Sequence, residues 1–197
     1  MVYGKMTKLS TARGERASPG PPPGLALVQD FINTLHMDHE LREDAIDDPR
    51  ALERWLLDRK LLPGSRRVSE ADVAHVAAVR EALRELLAAN EGKAVSLQAL
   101  ETLGRAARGA QLSLAFSADG HMQLRPAATG VDAALGELLA LTAASMIDGS
   151  WQRLKACHDD GCRWAFYDRT KNRSGNWCSM RSCGNRAKAR RYRERHS

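Results

Sequence analysis

The 197 residues, 43% of them hydrophobic, suffice for one conventional core and a small appendage but not for a second full-sized domain. No run of about 18 apolar residues offers a membrane span, and no apolar segment precedes Pro21 to act as a secretory signal, so the expected location is the cytoplasm. The net charge of +6 conceals a division: residues 151–197 carry 13 Lys and Arg against 4 Asp and Glu, whereas the first 150 carry 17 against 20. A basic end on an acidic body is the electrostatic footprint of a nucleic-acid contact, and on charge alone equally of a solvated or anionic-lipid-binding tail.

Residues 1–24 mix Lys5, Lys8, Arg13 and Arg16 with Ser, Gly and the run Pro21-Pro22-Pro23-Gly24, bring almost nothing to bury, and read as a disordered arm. From Leu25 the composition changes. Leu25, Leu27, Val28, Phe31, Ile32 and Leu35 can face inward from either a strand or a helix, and periodicity leaves that choice open. Asp47 or Asp48 is placed to cap a helix with Pro49 in its first turn, bearing Leu52, Trp55, Leu56 and Leu57 up to Pro63-Gly64. A longer helix is expected over residues 69–89, with Val73, Val76, Val79, Leu83, Leu86 and Leu87 inward, packed against Trp55, Leu138 and Leu139, and with Arg80, Glu81, Arg84 and Glu85 in solvent. Leu97, Leu100 and Leu103 predict a short third helix ending near Gly104. Alternation at Leu112, Leu114 and Phe116, a turn at Asp119-Gly120 and a return at Met122 and Leu124 predict a β-hairpin, and residues 131–147 return to helical spacing before Asp148-Gly149.

That pattern gives an α+β body over residues 25–150, mostly helical. His36, Asp38 and His39 form its only local cluster of metal-capable side chains, compatible with a zinc or divalent-ion loop, though such polar residues after an apolar segment are more commonly just a loop. His75 and His121 are isolated. Nothing in the body resembles a nucleophile with its base, a phosphate-binding glycine loop or a paired-carboxylate site, so no enzymatic activity is expected.

All four cysteines fall within residues 157–183, as Cys157, Cys162, Cys178 and Cys183 in a C-x4-C-x15-C-x4-C array. Two short thiol pairs joined by a loop of this size bring four sulfurs to one point, the tetrahedral donor set that binds Zn2+ in a closed structural site. A pair of disulfides is the alternative, disfavoured in a reducing compartment, and a redox switch on the same thiolates has no separate signature. Gly161 and Gly184 stand where a knuckle needs a positive φ, and with four thiols present neither His158 nor His196 is needed as a ligand. Trp164, Phe166, Tyr167 and Trp177 supply a mini-core in preference to a base-stacking platform, with Trp164 and Phe166 on one strand face and most buried. Residues 151–197 therefore form a small zinc-dependent module that should melt when a cysteine is lost, leaving the body folded.

After Cys183, Asn185 can cap a final helix in which Ala189 and Tyr192 pack back on the knuckle. Arg186, Lys188, Arg190, Arg191, Arg193 and Arg195 then point outward. Such a helix is most stable when phosphates neutralise it, and arginine can both grip phosphate and read guanine edges.

The string Cys183-Gly184-Asn185-Arg186 with Ala187-Lys188-Ala189-Arg190-Arg191-Tyr192-Arg193 resembles the CGNR zinc finger, as do Arg153-Leu154-Lys155-Ala156-Cys157, Cys162-Arg163-Trp164-Ala165-Phe166-Tyr167-Asp168, Asn172-Arg173 and Trp177-Cys178-Ser179-Met180. In that family the N-terminal region is an ABATE domain, whose opening motif Asp30-Phe31-Ile32-Asn33-Thr34 resembles. The resemblance implies a zinc-binding, stress-responsive bacterial transcription regulator with an α+β N-terminal domain and the zinc ion on the four cysteines; the leading reading is that the finger grips double-stranded DNA while the body senses a small-molecule effector or dimerises, without a heptad pattern to mark a coiled coil. An RNA-binding or ribosome-associated factor is the first alternative reading, and a zinc-dependent protein-interaction or redox-sensing module the second.

Overall fold

The computed structural model describes residues 20–38, 41–63 and 67–196. In chain order the elements are α1 (Pro23–Ile32), β1 (Leu35–Asp38), β2 (Leu41–Asp44), α2 (Pro49–Asp58), α3 (Glu70–Leu86), α4 (Leu97–Gly109), β3 (Leu112–Phe116), β4 (Met122–Pro126), α5 (Val131–Ile147), β5 (Leu154–Ala156), β6 (Ala165–Tyr167) and α6 (Asn185–His196). The strands form three separate antiparallel pairs, β1–β2, β3–β4 and β5–β6, so the fold is α+β and mostly helical, as expected. No helix among the described residues is long and apolar enough to cross a membrane.

Local chemistry sets the helix starts. Pro23 opens α1, its fixed φ suiting a first helical turn, so the arm expected through residue 24 gives way to helix there; residues 1–19 lie outside the described residues. Asp48 caps α2 through hydrogen bonds from the Arg50 and Ala51 amides at 2.7 and 2.8 Å. Ser69 and Asp72 form a reciprocal capping box at the start of α3. The ambiguous segment from Leu25 resolves as helix and then strand, because Leu25, Val28, Phe31 and Ile32 share one helical face and Leu35 begins β1.

That face meets α3 and α5 in one core, with Val76, Val79 and Leu83 from α3, Leu135 and Leu138 from α5, and Leu52, Trp55 and Leu56 from α2. The same cluster takes in Trp151, Leu154 and Ala165 from the C-terminal segment, so β5 and β6 are built onto the body's core.

Two expectations for the body are corrected. Arg80 and Arg84 are not in solvent but 1% and 2% exposed. Arg80 makes a two-pronged pair with Asp44 on β2, both bonds at 2.7 Å, and donates to Thr34 Oγ1 at 3.0 Å; Glu81 accepts from the Nε of both arginines. Arg84 donates to the Ile32 carbonyl at the end of α1 at 2.6 Å, where a cation also meets the negative end of the helix dipole. The second correction concerns α4. Leu97 and Leu100 are 78% and 48% exposed, Ala99, Thr102 and Ala106 form the buried face, and the helix runs past Gly104 to Gly109, since one glycine costs only about 1 kcal/mol against the helix formers after it.

Candidate metal centre and its basic helix

The first knuckle lies between β5 and β6. Cys157 continues the ladder, its amide donating to the Trp164 carbonyl at 2.9 Å, and the Asp159 carbonyl collects the amides of Cys162 and Arg163 at 2.8 and 3.0 Å. The left-handed residue is Arg163, at φ 49°, and Gly161 does not take a positive φ. The second knuckle is a π-helical turn, Met180–Gly184, opened by Ser179 and running directly into α6. Asn185 therefore sits inside a continuous helix, donating to the Arg181 carbonyl at 3.1 Å rather than capping a new one. Gly184 does not take a positive φ either; a Cβ there would lie 2.8 Å from the Met180 sulfur, which would have to shift.

These turns bring the four Sγ atoms within 4.8 Å of one another. Cys162 and Cys183 each lie 3.7 Å from Cys178, too far for a disulfide, and all four thiols are free. A tetrahedron of thiolates at zinc's bond length of about 2.3 Å has edges of about 3.8 Å, so the donor set fits a zinc ion. Bare thiols at this separation compete for protons. Hydrogen bonding from Cys162 and Cys178 drives Cys157 toward the thiolate, while bonding to Cys157 pushes Cys162 up to about 12 and Cys178 up as well. A cation at the centre resolves that competition by taking all four as thiolates.

The body holds this module by polar contacts that sequence reading missed. Asn33 accepts from the Ala165 amide at 2.8 Å and donates to its carbonyl at 2.9 Å, filling the open edge of β6 as another strand would. Arg84 donates to the Arg163 carbonyl at 3.0 Å, Asn90 to the carbonyls of Trp151 and Leu154 at 2.8 Å, and His158 meets Glu91 at 2.5 Å. Asn33 lies in the Asp30–Thr34 motif, which was the available signal.

The loop between the knuckles is organised around a second buried group. Asp168 pairs with Lys155 at 3.0 Å, both almost fully enclosed, and accepts the amides of Thr170 and Gly175 at 2.9 and 2.8 Å. Burial pushes the Asp168 carboxyl up, but the Thr170, Lys155 and Gly175 hydrogen bonds outweigh it and hold it down at about 2. A Cβ on Gly175 would meet that carboxylate at 2.9 Å.

Trp164 and Phe166 are only half-buried; the enclosed face of β6 is Ala165. His36 meets Trp164 edge-on at 5.2 Å and Asp38 pairs with Arg186 at 3.1 Å, so two members of the expected His36–Asp38–His39 cluster border the thiol cage across a cleft of about 280 Å³; His39 lies outside the described residues. On α6 the buried residue is Ala187, whereas Ala189 and Tyr192, expected to pack back, are exposed. Arg186, expected to point outward, turns in: it pairs with Asp159 at 3.0 Å and donates to Cys183 Sγ at 3.1 Å. Lys188, Arg190, Arg191, Arg193 and Arg195 are exposed.

Family models match on both sides of residue 150: ABATE, described as "Putative stress-induced transcription regulator", over residues 25–149, and the CGNR zinc finger over residues 153–196. No match was found among curated proteins. With the first model covering more than half of the chain and the second carrying the four-thiol module, this protein belongs to the ABATE family and ends in a CGNR zinc finger.

Proposed function

We propose that the chain is a cytoplasmic bacterial transcription regulator, not an enzyme, in which Cys157, Cys162, Cys178 and Cys183 hold one Zn2+ and α6 grips double-stranded DNA. The single observation behind the DNA contact is that every described residue of α6 beyond Ala187 is exposed and that five of them, Lys188, Arg190, Arg191, Arg193 and Arg195, are cations. The thiol cage anchors the start of the helix, so this charge is presented on a fixed arm. Its neutralisation by phosphates releases counterions, a driving force that a solvated face lacks.

Purified protein should hold about one zinc per chain and lose it when any of the four cysteines becomes Ser. For the zinc-loaded chain, the affinity for short duplexes should fall with salt at a log–log slope of about −3, for three cations at phosphates. Arg190→Ala with Arg193→Ala should weaken binding to all sequences and flatten the slope by up to about two units. If this double variant matches the parent at every salt concentration, α6 is not the contact surface and the protein-interaction reading replaces it. Preference for RNA in the same titration would move the assignment to an RNA-binding factor.

A further inference from the structure

We infer that α6 lies in the major groove of B-form DNA with Asn185, Ala189, Tyr192 and His196 toward the base edges, an inference that rests on the DNA reading above and adds sequence recognition to it. Ala187 is 4% exposed and fixes which side of α6 faces the finger. At about 100° per residue, positions 185, 189, 192 and 196 form the stripe on the opposite side, roughly 140° to 180° from Ala187. The cations do not share that stripe. Lys188, Arg191 and Arg195 run along one flank and Arg190 and Arg193 along the other, while Arg186 is held inward by Asp159 and Asp38.

A stripe of polar, small and aromatic side chains between two cationic rows matches a groove, whose phosphates line both walls and whose base edges form the floor. An unspecific phosphate clamp needs no such separation. The major groove of B-DNA, about 12 Å wide, admits an α-helix, whereas the major groove of A-form RNA is too deep and narrow for side chains to read. Each stripe residue suits its place. Ala189 allows close approach and an apolar contact with a thymine methyl, and the Asn185 amide, steadied by its bond to the Arg181 carbonyl, is of the type that pairs with adenine. Tyr192, 60% exposed, stacks on His196 at 4.1 Å between ring centroids, and His196 Nδ1 lies 2.8 Å from the Tyr192 carbonyl, so the ring pair is ordered before DNA arrives. The stripe, at about 1.5 Å rise per residue, spans about five base pairs.

The test is selection from randomised duplexes by the zinc-loaded full chain, followed by binding of selected and scrambled duplexes to the parent and variants. The parent should enrich a core of about five base pairs. Asn185→Ala and Tyr192→Ala should each lower discrimination between the two duplexes roughly 5- to 100-fold while leaving the salt slope unchanged, and Arg190→Ala with Arg193→Ala should do the reverse. The four substituted side chains are exposed, and zinc content checks each fold. Absence of an enriched core, or undiminished discrimination in the Asn185 and Tyr192 variants, overturns the groove assignment while leaving the phosphate contact standing. An unchanged salt slope in the double arginine variant overturns the DNA reading itself.

Discussion

Asn33→Ala tests how firmly the finger is joined to the body. Ala165 is fully buried, and its amide and carbonyl point away from β5 toward α1, because the neighbouring ladder bond is made by Cys157 and Trp164. Asn33 satisfies both groups at 2.8 and 2.9 Å. Truncation leaves the amide without a partner, at about 1 to 3 kcal/mol, while the carbonyl keeps a longer bond from Gln29 at 3.3 Å and loses less. The expected total is about 2 to 4 kcal/mol. Because Trp151, Leu154 and Ala165 share the body's core, the loss should appear in the whole molecule. Urea denaturation of the zinc-loaded protein, followed by tryptophan fluorescence and far-ultraviolet dichroism, should give coincident transitions in parent and variant, with the variant's midpoint lower. A change below about 0.5 kcal/mol, or a separate early transition of the finger alone, would refute this account of the junction.

Leu83, fully buried in the shared core, should cost about 2 to 5 kcal/mol on truncation to Ala, measured by the same denaturation. Gly175→Ala places a methyl against the enclosed Asp168 carboxylate and should destabilise by about 1 to 3 kcal/mol with some loss of zinc affinity; an unchanged midpoint and unchanged zinc retention against a chelator would show that the loop yields freely. Asp44→Asn removes the two-pronged counter-charge of buried Arg80 and leaves it only Glu81, shared with Arg84, at about 3 kcal/mol near neutral pH. Burial raises the Asp44 carboxyl, but the Arg80 hydrogen bond and charge overcome this and hold it below its ordinary 3.8. A depressed carboxyl contributes stability that is present above the ordinary value and lost as pH falls below it, so the gap between parent and variant should narrow from about pH 4 downward. A gap that stays constant or widens in acid would assign the effect to something other than this ion pair.

What was legible in the sequence follows from how local each signal is. The cap at Asp47 or Asp48, of which the structure uses Asp48, the β3–β4 hairpin and the four-thiol array all rest on short spacings and are visible without knowing what lies across the fold. Arg80 and Arg84 misled because charge marks a helix face as solvated unless its partners are known, and those partners, Asp44 and the Ile32 carbonyl, lie 36 and 52 residues away. The aromatic residues of the finger misled in the opposite sense. Ala165 takes the enclosed position since β6 lies close against α1, and the larger rings on either side remain partly open. Arg186 looked like one more cation of a basic helix; only the fold brings Asp38 and Asp159 to it.

Arg186 also decides what the metal centre does for the helix. Its guanidinium touches the sulfur of Cys183, the carboxylate of Asp159 within the first knuckle and the carboxylate of Asp38 on the body's first hairpin, all at 3.0 to 3.1 Å. The sulfur contact is strongest with a thiolate, which is the form a bound cation selects. A zinc ion in the thiol cage would keep Cys183 as the thiolate to which Arg186 donates, and so would help to hold Arg186 against the first turn of α6. In a chain that grips phosphate by charge alone, losing the metal would weaken binding in proportion to the unfolded helix; in one that reads bases, a small rotation of α6 already misplaces Asn185 and Tyr192. Lys in place of Arg186 retains the charge but lacks the planar fork that spans three acceptors, so it should spare zinc content and the salt slope while blunting sequence discrimination.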